Sequence, residues 1–288
     1  MRVLLTGASG FVGGYLAPAL VAAGHDVYAL VRHPGVYDAP EGVTPVEADL
    51  EELDRDALPG VDVVAHFAQA NVPFPEGAGT LYAVNTASTL VLLEHARRSG
   101  ARGFLYASSA SVYGFGDRPF TEADPVSAHD FYATTKINSE QLVATYGGFF
   151  GTAVFRLVAP YGPGQTGRMI PGVIGRVRDG RPVTLNGGGR PRMNPIYVED
   201  AVRAAVAALE LEGNQVVNVA GEEVVGIDRI AELAGEALGR EPVFEPGDAD
   251  APGDVVADTK RFNELFDLPD RVGMAEGIRR MVSLEVSA

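Results

Sequence analysis

The stretch Arg2-Val3-Leu4-Leu5-Thr6-Gly7-Ala8-Ser9-Gly10-Phe11-Val12-Gly13 sets an apolar, β-type run against three glycines and then a helix-like segment. A chain needs this order to bring a pyrophosphate against backbone N–H groups at a helix N-terminus, where the helix dipole also favours negative charge. Gly7 permits the tight turn, Gly10 lets the backbone approach phosphate, and Gly13 lets helix and strand pack closely. Gly7, Gly10, Phe11, Val12 and Gly13 are therefore the expected dinucleotide contacts. The spacing is G-x-x-G-x-x-G rather than G-x-G-x-x-G. A glycine-rich turn alone would look the same; its place between strand and helix favours the dinucleotide.

Outward from the loop, strand-like and helix-like stretches alternate. Phe11 to Ala23 reads as a helix with Phe11, Tyr15, Leu16, Ala19 and Leu20 on one face. Pro18 falls inside it, removing a hydrogen bond at a cost of about 3 kcal/mol, so a kink near Gly14 or a shorter helix is expected. Strands are expected over 26–31, 43–46 and 61–67, then a proline-rich loop, Val72-Pro73-Phe74-Pro75, and a long helix over 79–99. A strand over 104–107, a helix from Phe131 to Tyr146 and a strand over 152–157 follow. Such alternation indicates an α/β fold with a doubly wound parallel sheet. From Pro160 the pattern loosens through Tyr161-Gly162-Pro163-Gly164, Asn186-Gly187-Gly188-Gly189 and Met193-Asn194-Pro195-Ile196-Tyr197, before a helix from Val198, a strand over 215–219 and a helix over 227–238. The chain is read as a dinucleotide-binding domain over 1–165, with 195–219 a candidate to return to it, and a smaller α/β substrate-binding lobe over 166–288.

Composition narrows the partners. At 288 residues, 46% hydrophobic and 21% charged, the chain suits one large α/β domain or a core with a smaller lobe. A net charge of −15 argues against nucleic acid and anionic membranes. There is no cysteine, which excludes disulfides and thiolate metal sites. His25, His33, His66, His95 and His129 lack metal-ligand spacing, so no metal is expected. No apolar run approaches the roughly 18–20 residues that span a bilayer. The opening strand leaves no room for a signal peptide, and a cytoplasmic protein is expected.

The end of the second strand decides the adenosine half of the cofactor. A carboxylate there would bind the ribose 2′-OH of NAD, but the chain reads Leu30-Val31-Arg32-His33. Arg32 can pair with a 2′-phosphate, which favours NADP(H) over NAD(H); a solvated arginine beside a loop is the plainer reading. Asp49, followed by Leu50, is placed to reach the adenine edge. Ala68 lies in a small-residue stretch where a cofactor can pass, and Asn85 sits on the long helix as a cofactor contact or a polar surface residue. His66 reads as a packed strand residue rather than a catalyst.

Tyr132 and Lys136 stand four apart on a helix and share a face. Tyrosine, with a pKa of about 10, is a poor acid–base group at neutral pH. A neighbouring ammonium favours the phenolate, and the lysine can also bond the nicotinamide ribose. Ser109, at the end of the preceding strand, can hold a substrate hydroxyl or carbonyl for proton transfer.

Together these residues resemble the extended short-chain dehydrogenase/reductase family, in its NAD(P)-dependent epimerase/dehydratase branch. The resemblance runs along nearly the whole chain: Thr6-Gly7-x-x-Gly10-x-x-Gly13, Asp49-Leu50, Asn85, Ser109 three residues before Val112-Tyr113-Gly114, Tyr132-x-x-x-Lys136, Arg156, Tyr161-Gly162-Pro163-Gly164 and Tyr197-Val198-x-Asp200. It implies a Rossmann domain with a small C-terminal substrate domain, a nucleotide-sugar substrate, and a homodimer joined through the helices around 79–99 and 131–147. Dehydratases of the branch carry Thr-Asp-Glu at the strand end. Ser109-Ala110-Ser111 stands there instead, so dehydration is not expected and Ser109 and Ser111 are read as substrate contacts. Ala159 replaces an asparagine usual in the sugar enzymes. Met193 stands where an arginine for the diphosphate is expected, leaving the adjacent Arg192 as candidate, and the arginine near Pro252-Gly253-Asp254 is absent. The leading expectation is a sugar-nucleotide 4-epimerase or 4-ketoreductase. The lost diphosphate ligands motivate an alternative, an NADPH-dependent carbonyl reductase of a non-nucleotide substrate. A third reading, a sensor of NADP(H) without chemistry, would not need Ser109, Tyr132 and Lys136 together.

Overall fold

A computed structural model describes residues 1–286 of the chain. Among the described residues nine strands occur: β1 (Arg2–Thr6), β2 (Asp26–Val31), β3 (Val43–Glu47), β4 (Val63–His66), β5 (Gly103–Ser109), β6 (Gly151–Leu157), β7 (Val183–Leu185), β8 (Asn214–Val219) and β9 (Phe244–Pro246). Seven form one sheet in the order β3-β2-β1-β4-β5-β6-β8, and β7 pairs with β9. β1 runs parallel to both β2 and β4, placing Thr6 opposite Leu30 on one side and His66 on the other. The α/β fold with a doubly wound sheet is thus present. Strand order reverses at β1, so the crevice beyond β1 and β4 is the natural ligand position.

β1 reads as an unbroken apolar run because Val3, Leu4 and Leu5 are all buried, as in parallel sheets covered on both faces. Each such side chain contributes about 1.5–3 kcal/mol on burial. The helix α1 (Phe11–Ala22) runs through Pro18 and is not cut short there. Leu16, Ala17 and Leu20, buried on either side of the proline, offset its cost.

The helix expected over 79–99 is three segments: α2 (Ala78–Tyr82), a π turn over Ala83–Ala87, and α3 (Ser88–Ser99). The wider turn is stabilised by side chains. The carbonyl of Asn85 accepts from Thr89 Oγ1 at 3.1 Å and from Ser139 Oγ at 2.6 Å. Hydrophobic periodicity alone does not distinguish this turn from α-helix. β4 is shorter than the 61–67 expected, and β5 extends to Ser109.

The chain divides into two units. The first comprises Met1–Val112, Val126–Arg156 and Val202–Val217. Its core joins Leu4, Val64, Phe104 and Tyr106 of the sheet to Leu92 and Leu93 of α3 and to Val143 of α4 (Phe131–Tyr146). The second comprises Tyr113–Pro125, Leu157–Ala201 and Asn218 onward. The remaining helices are α5 (Met169–Asp179), α6 (Val198–Ala208), α7 (Ile227–Leu238), α8 (Lys260–Leu265) and α9 (Met274–Val286). The core of the second unit joins Ile174 of α5, Ile230 of α7 and Ile278 of α9, all fully buried. No described helix is long and apolar enough to cross a membrane.

His66 shows how the sheet accommodates a buried polar group. Its Nδ1 lies 2.7 Å from Thr6 Oγ1 and its Nε2 3.1 Å from Thr89 Oγ1. A neutral imidazole has one donor and one acceptor, and two hydroxyls satisfy both. Burial pushes its pKa from 6.5 to about 3, with Lys136 adding to the effect. Below 6.5 the unfolded chain takes up a proton that the folded chain refuses, so stability present above that pH is lost as the pH falls toward 3. Urea unfolding at pH 7 and pH 5 should show the wild type losing about 2 kcal/mol more between the two than His66→Asn does.

Candidate active site

The three glycines of the opening loop are required for different reasons. Gly7 has φ +79°, and a Cβ on it would lie 2.7 Å from the nitrogen of Ala68. A Cβ on Gly13 would lie 2.0 Å from the carbonyl oxygen of Gly7. Both positions are closed to side chains by the fold itself. Gly10 differs: its Cβ would meet only that carbonyl, at 3.2 Å. Gly10 is the N-cap of α1, with φ −90° and no side-chain cap. The first-turn N–H groups are thus left for water or a ligand. Such a cradle fits a dinucleotide pyrophosphate, with Phe11 and Val12 opening the helix and Ala68 packed against Gly7.

On the adenosine side, Arg32 follows the last residue of β2, is exposed, and makes no ion pair among the described residues. Asp49 is also exposed, and its Oδ1 accepts from the nitrogen of Glu51 at 3.0 Å, closing a turn that carries half-buried Leu50. No carboxylate occupies the end of β2.

Tyr132 and Lys136 are both carried by α4. Asp130 starts this helix, its side chain accepting from the nitrogen of Ala133 at 2.6 Å. Lys136 is buried; its Nζ donates to the carbonyl of Ala107 at 2.7 Å and lies 4.9 Å from the Tyr106 ring centre and 5.7 Å from that of Tyr132. Burial lowers its pKa from 10.5 to about 7, and the charge of Glu140 opposes the shift. Glu140 accepts from Arg156, whose Nη2 approaches to 2.7 Å, and from Ser108 Oγ. The Tyr132 hydroxyl donates to Gln69 Oε1 at 2.7 Å.

Asn85 is buried, not a surface residue. Its side chain accepts from the nitrogen of Ala70 at 2.7 Å and donates to the Ala70 carbonyl at 3.2 Å and to Thr135 Oγ1 at 3.3 Å. Ser109 Oγ accepts from the nitrogen of Ser111 at 3.2 Å. Ser111 Oγ is buried and has no hydrogen-bond partner among the described residues. Arg192 belongs to the second unit, where its nitrogen donates to Asp254 Oδ1 at 2.8 Å and its side chain is exposed.

The structure therefore brings together Tyr132 with Lys136, Lys136 with the strand leading to Ser109, and the glycine loop with Ala68. Two neighbours escaped the sequence reading. Glu140 continues the four-residue spacing of Tyr132 and Lys136 and was there to be found. Gln69 carries no such signal.

Comparison with known proteins agrees with this geometry. A model described as the NAD dependent epimerase/dehydratase family matches residues 3–220. A protein named "Probable UDP-glucuronate 4-epimerase" from Rhizobium meliloti (strain 1021) is 27% identical, over 98% of this chain and 96% of its own. A dTDP-4-dehydro-6-deoxy-D-allose reductase from Streptomyces bikiniensis is 29% identical, over 96% and 95%. The solved UDP-glucose 4-epimerase of Thermus thermophilus, in complex with NAD, superposes with a TM-score of 0.86 at 26% identity over 100% of both chains.

The glycines supply a test of the cradle. Gly13→Ala should destabilise the protein by about 3 kcal/mol or more, because backbone lies where the methyl would go. Gly10→Ala should melt near the wild-type temperature yet lose dinucleotide affinity. Thermal unfolding with and without NAD⁺ and NADP⁺ separates the two.

Proposed function

The chain belongs to the NAD-dependent epimerase/dehydratase family, and we propose that it acts at C4 of a nucleotide sugar, as a 4-epimerase or a 4-ketoreductase. The observation carrying this reading is the Tyr132–Lys136 pair, with its ammonium 5.7 Å from the phenol ring and tied to the carbonyl of Ala107, two residues before Ser109. When bound, the nicotinamide dinucleotide accepts or supplies the hydride. The chain's own residues manage the proton. Tyr132 Oη takes it from, or returns it to, the sugar oxygen, and the Lys136 ammonium stabilises the phenolate in between. Ser109 Oγ holds that oxygen in line, and the unpartnered Ser111 Oγ is a second substrate contact. Arg192 is the candidate cation for the diphosphate. Gly7, Gly10, Phe11, Val12, Gly13, Asp49, Leu50, Ala68 and Asn85 are read as the cofactor's surround. Full-length similarity to enzymes named for nucleotide sugars disfavours the non-nucleotide carbonyl reductase.

For the cofactor, exposed Arg32 and the missing carboxylate support NADP(H), while NAD is what the Thermus thermophilus enzyme holds. For assembly, exposed Tyr82 and Leu90 on α2 and α3 support a homodimer through the helices around 79–99 and 131–147.

Turnover should fall at least a hundredfold in Tyr132→Phe with its melting temperature unchanged; full activity in that variant removes the acid–base role. UDP, GDP or dTDP should raise the melting temperature in the presence of NADP⁺, and no shift with any of them removes the nucleotide-sugar substrate. Arg32→Ala should weaken NADP⁺ binding about tenfold and leave NAD⁺ binding unchanged. Equal NADP⁺ affinity in both proteins takes Arg32 out of the site.

A further inference from the structure

Gln69 lies in the loop after β4, and the residues on both sides of it are tied down. The nitrogen of Ala68 donates to Thr6 Oγ1 at 3.1 Å. Ala70 exchanges two hydrogen bonds with the Asn85 side chain, at 2.7 Å and 3.2 Å. The backbone around Gln69 is thus fastened to β1 before it and to the π turn after it. From this mount its exposed side chain crosses 63 positions of sequence to accept the Tyr132 hydroxyl proton at 2.7 Å. The amide oxygen faces the hydroxyl, so Tyr132 is the donor and carries its proton here. A glutamine ends in an acceptor and a donor on one planar group. A half-turn about its last bond exchanges them, and exposure leaves room for that turn. The carbonyl suits a phenol; the amide N–H suits a phenolate.

We infer that Gln69 is a further catalytic residue of this site, touching Tyr132 Oη in both protonation states by accepting from the phenol and donating to the phenolate. It rests on the reading of Tyr132 as acid and base. Gln69 holds the oxygen in one place while the proton passes between Tyr132 and the substrate oxygen. The amide itself neither gains nor loses a proton. Lys136 supplies charge from the buried side, and Gln69 supplies direction from the open side. The titratable groups that act on Tyr132 or Lys136 are Tyr106 on β5 and His66 on β4, together with Glu140 on α4 itself.

The test is an ultraviolet titration of the Tyr132 phenolate, taken as the difference between each protein and its Tyr132→Phe counterpart, with NADP⁺ or NAD⁺ added. It compares wild type, Gln69→Glu and Gln69→Met. A carboxylate can only accept and adds negative charge, so Gln69→Glu should raise the apparent pKa by about one unit or more. Methionine removes both bonds. The bond to the charged phenolate is the stronger of the two, so Gln69→Met should also raise the pKa, by less. A Gln69→Glu titration coinciding with the wild type's overturns the inference. A fall or no change in Gln69→Met does so as well, since Gln69 would then serve at most the phenol. The titration reads Tyr132 without turnover, so failure here leaves the proposed reaction standing. Full turnover in Tyr132→Phe removes that reaction and this inference with it.

Discussion

Burying the ammonium of Lys136 is the constraint on which the candidate site depends. Taking a cation out of water costs several kcal/mol unless partners replace its hydration. Two contacts do so, the carbonyl of Ala107 and the ring of Tyr106, and the charge of Glu140, one turn further along α4, favours the ammonium. Each commits another piece of the fold. The bond to Ala107 pins α4 to the end of β5, which carries Ser109. Glu140, half-buried, is in turn held by Arg156 of β6 and by Ser108. Lys136 thereby ties α4 to β5, and Glu140 on the same helix ties it to β6. The residual cost appears as a lysine whose pKa falls to about 7, which makes its charge sensitive to the surroundings at neutral pH.

A second constraint acts at the other end of the crevice. β1 lies between β2 and β4, and the close packing of Gly7 against Ala68 and of Gly13 against Gly7 leaves no space for side chains. The loop after β4 is pressed against the glycine loop, and the same loop carries Gln69 to Tyr132. The glycine loop and Tyr132 therefore share one short neighbouring segment, 68–70, anchored by Thr6 and Asn85. The π turn that offers the Asn85 carbonyl to Thr89 and Ser139 belongs to this anchoring.

Much of this was legible in the amino-acid sequence. Parallel strands buried on both faces read as apolar runs, so the alternation and the sheet class followed from pattern alone. Tyr132 and Lys136 were readable because helical spacing makes four-apart residues neighbours. The π turn was not, since its stabilisation comes from Ser139 and other side chains distant in sequence. Asn85 read as a cofactor contact or a surface residue, and its burial was not legible because its partners, Ala70 and Thr135, lie in other segments. Gln69 was invisible for the same reason. Pro18 suggested a kink or a shorter helix, and burial of the residues around it kept the helix running to Ala22.

The most direct measurement follows the hydride itself. The enzyme with oxidised NADP⁺ or NAD⁺ is mixed with UDP-glucose and UDP-glucuronate carrying deuterium at C4, and the nicotinamide is examined by mass spectrometry. Deuterium reaching the cofactor in the wild type, and not in Tyr132→Phe, is the predicted result. A wild-type enzyme that binds these sugars and cofactor together yet leaves all the deuterium at C4 would contradict the account.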